Sequence, residues 1–125
     1  MKGQYRNSSH RDIQERAFSF ACRVVKLYQF LTKQKGAAEV LGRQVLRSGT
    51  SVGANLEEAA AGQSKADFIS KCNLALKEAR ETHYWLRLLI ETGVVPANKL
   101  SELADESNEL VAILTSIVKK SRSVG

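Results

Sequence analysis

The chain has 125 residues, 43% of them hydrophobic and 26% charged, and a formal net charge of +6. This is enough apolar material for one domain core and too little for two. One proline, eight glycines and eight aromatic residues exclude the turn-rich composition of an all-β fold, and the abundant Ala, Leu, Glu, Lys and Arg favour helices.

The apolar stretches are too short to cross a bilayer, which takes about 20 apolar residues. The first twenty residues carry scattered charges where a signal peptide has an apolar core, so we expect a cytoplasmic protein with no membrane partner. Cys22 and Cys72 lie within apolar helical patterns and form no CxxC pair. We therefore expect two buried, reduced thiols and neither a disulfide nor a zinc site.

The first predicted helix covers residues 11–34 and follows a flexible leader at residues 1–10. Its seam is spaced 4, 3, 4, 3 and 4, as in a helical bundle, at Ile13, Ala17, Phe20, Val24, Leu27 and Leu31. A second apolar stripe lies beside the seam at Phe18, Ala21, Val25 and Tyr28. The whole charge excess lies in residues 1–35, which contain eight basic and two acidic residues.

The second predicted helix covers residues 37–61 and has an unusually small middle. Gly49 and Gly53 each cost about 1 kcal/mol in a helix relative to alanine, and they share a face because they are four residues apart. We interpret them as a place where another helix, of the same or a neighbouring subunit, approaches closely. The alternative is a phosphate-cradling loop, but the segment lacks the GxxxxGK[ST] order and the preceding strand of such loops.

The third predicted helix covers residues 64–92, with Ser64 as its N-cap and Asp67 as the capping partner. The fourth covers residues 96–121 and opens with Pro96, which suits a first helical turn. Both repeat the seam spacing of the first helix, and Phe68, Ala75 and Leu89 broaden the apolar face of the third. Three glycines follow the first three helices, where left-handed caps are expected: Gly36, Gly62 and Gly93.

Four such helices joined by tight turns predict one all-α domain over residues 11–121. The architecture is an antiparallel up-and-down, left-handed four-helix bundle. The apolar surface on the first and third helices exceeds what one bundle interior needs. This surplus implies either a wide core or a contact between subunits, and we favour the contact.

Carboxylates and a histidine on the second and third helices invite comparison with di-iron bundles. Such sites need Glu-x-x-His pairs, but Glu81 and His83 are two residues apart and point to different faces. No credible Ser/His/Asp or Cys/His arrangement is present, so we expect a non-enzymatic protein without metal, cofactor or small-molecule substrate. We assign six residues to helix packing or to a polar network that fixes register or assembly: Gly49, Gly53, Asn55, Glu58, Glu81 and His83.

Two basic stripes could meet phosphates. We predict phosphate contacts at Arg16, Arg23, Lys26 and Lys33 on the first helix, and at Arg43 and Arg47 on the second. The third helix carries Lys77, Arg80, Tyr84 and Arg87, with Trp85 adjacent, and exposed aromatic rings can stack on unpaired bases. Two alternatives stay open. Each stripe could be a solvated face, or it could pair with the acidic stripe Glu102, Glu106 and Glu109 of a neighbouring subunit and close a ring.

Three segments carry a resemblance to a known family: LRSGTSVGANLEEA at 46–59, SKADFISK at 64–71 and LKEARETHYWLRLL at 76–89. They resemble the four helix bundle proteins encoded in intervening sequences of bacterial 23S rRNA genes, and are similar to the accessory variability determinant proteins of diversity-generating retroelements. The resemblance implies a bacterial homopentameric ring with a central channel, and binding of RNA or DNA through a basic surface.

Within this resemblance, Asn55 and Glu58 match the family's Asn-x-x-Glu stretch, and Glu81 matches its acidic residue on the third helix. The chain departs from many relatives at Ala59 and at Lys77-Glu78, so no detailed site is transferred. We predict a self-assembling, nucleic-acid-binding bundle. The first alternative is a protein-interaction scaffold with no nucleic-acid role, and the second is a metal-dependent bundle enzyme.

Overall fold

A computed structural model describes the backbone of residues 8–123 and the side chains of residues 12–123. Within that range the chain forms four α-helices and no strand: α1 (Ser8–Leu31), α2 (Gly36–Ala60), α3 (Lys65–Glu91) and α4 (Ser101–Ser123). A short 3-10 turn, Ala97–Lys99, precedes α4. The predicted all-α class is confirmed.

The helices pack as consecutive antiparallel neighbours. The contacts of α2 with α1 and with α3, and those of α3 with α4, are extensive, whereas α1 and α4 meet over much less surface. The predicted up-and-down four-helix bundle is therefore confirmed. The α1–α4 side is the most open side of this bundle.

The helix ends differ most from the prediction at the two outer helices. α1 begins at Ser8, so residues 8–10 of the predicted leader are helical, while residues 1–7 lie outside the described part of the chain. α4 begins at Ser101, five residues after the predicted start. Pro96 has an extended backbone (ψ 135°) and precedes the 3-10 turn, because Lys99 N–H bonds to Pro96 O and tightens the chain before the α-helix begins.

The turns follow the predicted chemistry in part. Ser64 Oγ accepts a hydrogen bond from the Asp67 N–H at 3.0 Å, which caps α3 as expected. Gly93 has a positive φ of 69° just after α3, as predicted, but Gly62 does not, so its predicted left-handed cap is wrong. Gly36 also has a positive φ, 62°, but it opens α2 and does not cap α1, which ends at Leu31. A Cβ at Gly62 would lie 2.7 Å from the end of the Asp67 side chain and 3.1 Å from Ala59 O, so a larger residue would need both neighbours to shift slightly.

The core contains the predicted seams. Phe68, Ala75 and Leu89 of α3 are buried, so the surplus apolar surface of this helix belongs to a wide core and not to a subunit contact. The second stripe of α1 behaves differently, because Phe18 is 67% exposed and Val25 is 41% exposed. Unexplained apolar surface therefore remains on the outer side of α1, and exposed apolar side chains also occur elsewhere, at Val40, Leu74, Tyr84 and Val94.

Small residues bring α2 close to α1. A Cβ added to Gly49 would lie 2.9 Å from Val24 Cγ2, a distance that real Cβ atoms essentially never show. Gly53 faces the backbone carbonyl of Ala17, 3.5 Å from where its own Cβ would be. The close approach interpreted from the glycine spacing thus lies within one chain, between adjacent helices.

Candidate nucleic-acid interface

Ion pairs link α1 to α4, the two neighbouring helices that share the least contact surface. Arg16 donates two hydrogen bonds to the Glu106 carboxylate, from Nε to Oε2 at 3.0 Å and from Nη2 to Oε1 at 2.5 Å. Nη2 also donates to Glu109 Oε1 at 3.0 Å. Arg23 lies 3.5 Å from Glu102. The hydrogen bonds to Glu106 and Glu109 raise the pKa of Arg16 above its usual range, because they favour its charged form.

The acidic stripe of α4 is thus paired with the basic stripe of α1 within one chain. The pairing of Glu106 with a neighbouring subunit, one of the alternatives raised by the sequence, is replaced by this internal arrangement. The physical reason is the topology, since an up-and-down bundle places its first and last helices side by side. Sequence reasoning could have weighed this pairing once the topology was accepted.

Arg47 occupies a second polar cluster, between α2 and α3. Its guanidinium donates to Gln44 at 3.1 and 3.2 Å, to Glu78 at 3.4 Å and to Glu81 at short range. Trp85 Nε1 donates to Glu81 Oε2 at 3.3 Å, which fixes the same carboxylate from one turn further along α3. The roles of Gln44 and Trp85 were missed at the level of sequence, although the Glu81 to Trp85 spacing of four residues was a usable signal.

Four of the six predicted phosphate contacts therefore have carboxylate partners, since Arg43 also lies 3.6 Å from Glu39. Lys26 and Lys33 are exposed and have no partner among the described residues. The predicted set is not one free surface. It divides into two exposed lysines near the end of α1 and four arginines already bound to glutamates.

The outer side of α3 presents a different arrangement, named the basic face and made of Lys77, Arg80, Tyr84 and Arg87. All four side chains are exposed, and within residues 12–123 none of the three cations has an ion-pair or hydrogen-bond partner. Tyr84 is 55% exposed and meets the ring of Trp85 edge-on, with centroids 5.2 Å apart. This stripe keeps both its charge and its aromatic surface available.

The residues assigned to one polar network are dispersed in the structure. Asn55 Nδ2 donates to Ser51 O at 2.9 Å on its own helix, and Glu58 is exposed. His83 faces α4, with Nδ1 3.2 Å from Ala104 O and 3.0 Å from Ser107 Oγ. Glu81 instead faces α2, so the expectation that Glu81 and His83 point to different faces agrees with their neighbours.

A buried pair that the sequence did not single out joins α2 to α3. The Thr82 hydroxyl donates to Ser48 Oγ at 2.7 Å, and both residues are fully buried. Ser48 in turn donates to Gln44 O at 2.9 Å, so its hydroxyl is satisfied on both sides. The pair lies in the small-residue segment of α2, where short side chains allow the two helices to approach.

The two cysteines differ from each other. Cys72 is buried, and burial raises the pKa of its thiol to about 12 because a thiolate there would lose its hydration. Cys22 is exposed, so the prediction of two buried thiols is wrong for this residue. It lies on the side of α1 away from the seam, two residues from both Phe20 and Val24.

No group of three or more His, Cys, Asp or Glu side chains suited to a metal occurs in the described part of the chain. None of its helices is long and apolar enough to span a membrane. What the described surface does offer is charge, as two clusters of paired charges and as unpaired cations that include the basic face of α3.

Fold and surface together define a four-helix bundle whose third helix presents exposed, unpaired cations on its outer side. Comparison with known proteins places it more closely: the profile of the 23S rRNA-intervening sequence proteins matches residues 9–116, and the chain belongs to that family. Its fold is similar to a crystal structure from Bacteroides thetaiotaomicron, a protein of unknown function from the S23 ribosomal protein family, at 42% identity and a TM-score of 0.81. That match covers 89% of this chain and 98% of the other. None of the curated proteins compared with the chain matches it.

Proposed function

We propose that the protein is a cytoplasmic, non-enzymatic bundle that assembles with copies of itself and binds RNA through the basic face of α3. The observation that carries the proposal is the unpaired state of Lys77, Arg80 and Arg87, whereas the described arginine side chains of α1 and α2 hold glutamates. Cations without carboxylate partners are the groups that phosphates neutralise at the lowest cost.

The spacing of the basic face suits a polynucleotide strand. Lys77, Arg80, Tyr84 and Arg87 follow one side of a straight helix, and ten residues of α-helix extend about 15 Å. A strand running along α3 meets three cations over that length. Because the exposed Tyr84 ring offers a stacking surface to an unpaired base, single-stranded RNA is the favoured ligand.

Charge removal on α3 tests this proposal. The variant K77Q/R80Q/R87Q should bind a labelled single-stranded RNA at 50 mM salt at least about tenfold more weakly than the wild type, since three phosphate contacts are lost. The matched control R16Q/R23Q/R43Q removes three arginines that already have carboxylate partners, and it should keep nearly wild-type affinity. Equal losses in the two variants, or no RNA binding by the wild type, contradict the proposal. Tighter binding of duplex DNA than of single-stranded RNA would contradict RNA as the ligand.

Self-assembly draws its support from the exposed apolar stripe of α1, with Phe18 and Val25 at its centre. Light scattering on the full chain should report a multiple of the 13.8 kDa chain mass. F18E/V25E should lower that mass, whereas V40E, at another exposed apolar position, should not. A wild-type mass of one chain would contradict assembly, and assembly without RNA binding would favour the scaffold function.

A further inference from the structure

We propose that the α1–α4 seam, defined by Arg16, Arg23, Glu102, Glu106 and Glu109, is a second phosphate-binding surface held closed by the glutamates of α4. In this arrangement the carboxylates occupy the positions on Arg16 and Arg23 that RNA phosphates would take. The inference rests on the RNA binding proposed above and adds a masked site to it.

The geometry at Arg16 is that of anion recognition. Nε and Nη2 donate to the two oxygens of Glu106, and Nη2 reaches Glu109 as well. The guanidinium presents the same two-pronged edge to a phosphate as to a carboxylate. The seam therefore holds Arg16 oriented and fully charged, in the form that a phosphate needs.

The surface continues beyond the paired residues. Lys26 on α1 and Lys33 in the turn after α1 are both exposed and without partners in the described structure. They place two further cations beyond Arg16 and Arg23 in the chain. A strand bound at the two lysines would approach the seam from that end of α1.

Two of the three covering glutamates are accessible enough to exchange. The side chains of Glu102 and Glu109 are 92% and 66% exposed, so water already screens their pairs, whereas Glu106 is 21% exposed and is the partner that holds Arg16 most firmly. The seam also borders an open groove of about 420 Å³, whose lining includes Arg16 and Arg23 together with the carboxylates of Asp12, Glu15 and Glu106. Because α1 and α4 share so little other surface, releasing these pairs leaves the main helix contacts in place.

The test compares two double variants of equal charge. E106A/E109A frees Arg16, and the control E57A/E58A removes two exposed carboxylates that have no ion-pair partner among the described residues. At 150 mM salt the seam variant should bind single-stranded RNA about fivefold or more tightly than the control. Its plot of log affinity against log salt should be steeper by about 0.7, the value for one extra phosphate on a single strand.

A third substitution, R16Q, tests whether Arg16 causes the increase in RNA affinity. Adding R16Q to E106A/E109A should cancel the increase in RNA affinity. An equal gain in E57A/E58A, or a gain that survives R16Q, overturns the inference. Circular dichroism checks that the variants are folded. If E106A/E109A unfolds, the exposed E102A with and without R23Q gives the same comparison at Arg23.

Failure of the inference is distinguishable from failure of the proposed function. If the wild type binds RNA and the seam variant binds no more tightly than its control, only the masked surface is disproved. If wild type, seam variant and control all fail to bind RNA at 50 mM salt, the proposed function is disproved, and the inference is disproved with it.

Discussion

Individual residues of α2 decide how closely it can approach its neighbours. Gly49 and Gly53 lie in one helix and both face α1, yet their surroundings differ. The position of a Cβ at Gly49 is already blocked by Val24, whereas at Gly53 the nearest atoms are at ordinary contact distance. The sequence predicted a close approach at both positions. It could not separate them, because the difference depends on the side chain that each glycine meets.

The two glycines therefore give opposite predictions. G49A should lower the free energy of unfolding by about 1–3 kcal/mol, because overpacking against Val24 outweighs the gain in helix propensity. G53A is the matched control and should be neutral or up to about 1 kcal/mol stabilising. Urea denaturation measures both values. A G49A variant more stable than the wild type would contradict this prediction, because it would show that α1 can move away from α2 without loss of packing energy.

Helix geometry separates the two cysteines. Cys22 is two residues from both Phe20 and Val24 of the seam, which is about 200° around a helix, so it lies on the outer side of α1 and is exposed. Cys72 belongs to the seam spacing itself, and it is buried as expected. The seam spacing could therefore have predicted both outcomes.

At the scale of the helices, the spacing of apolar residues and the capping residues predicted much of the structure. The four seams, the Ser64 cap and the turn at Gly93 follow from local rules that need no knowledge of distant residues. The late start of α4 could not be predicted in this way, because Pro96 suits either a first helical turn or the residue before one. Partners between helices needed the assembled bundle, since Arg16 and Glu106 are 90 residues apart.

The hydroxyl pair between α2 and α3 gives a prediction at this scale. T82V keeps the shape of the side chain but leaves buried Ser48 without its donor, so it should cost about 1–2 kcal/mol of unfolding free energy. S48A should cost less, because the Thr82 hydroxyl can still donate to Glu78 O at 2.7 Å. The double variant S48A/T82V removes both partners. Its loss of unfolding free energy should be about 1 kcal/mol smaller than the sum of the two single losses. Strict additivity in urea denaturation would contradict a coupled pair.

Over the whole molecule, folding redistributes the charge that the sequence displays. The chain has its basic excess in residues 1–35, which directs attention to α1, but part of that excess is neutralised by the acidic residues of α4. The third helix, inconspicuous by net charge, keeps Lys77, Arg80 and Arg87 free because its neighbouring carboxylates, Glu78 and Glu81, turn towards Arg47. The sequence therefore predicted the kind of surface, but the arrangement of the bundle determined which stripe stays open.

The most direct test of this account is the salt dependence of RNA binding by the wild-type protein. If α3 binds a single strand through Lys77, Arg80 and Arg87, log affinity should fall linearly with log salt with a slope of about −2, the value for three phosphates. An affinity that does not change with salt, or no measurable binding at 50 mM salt, would contradict it.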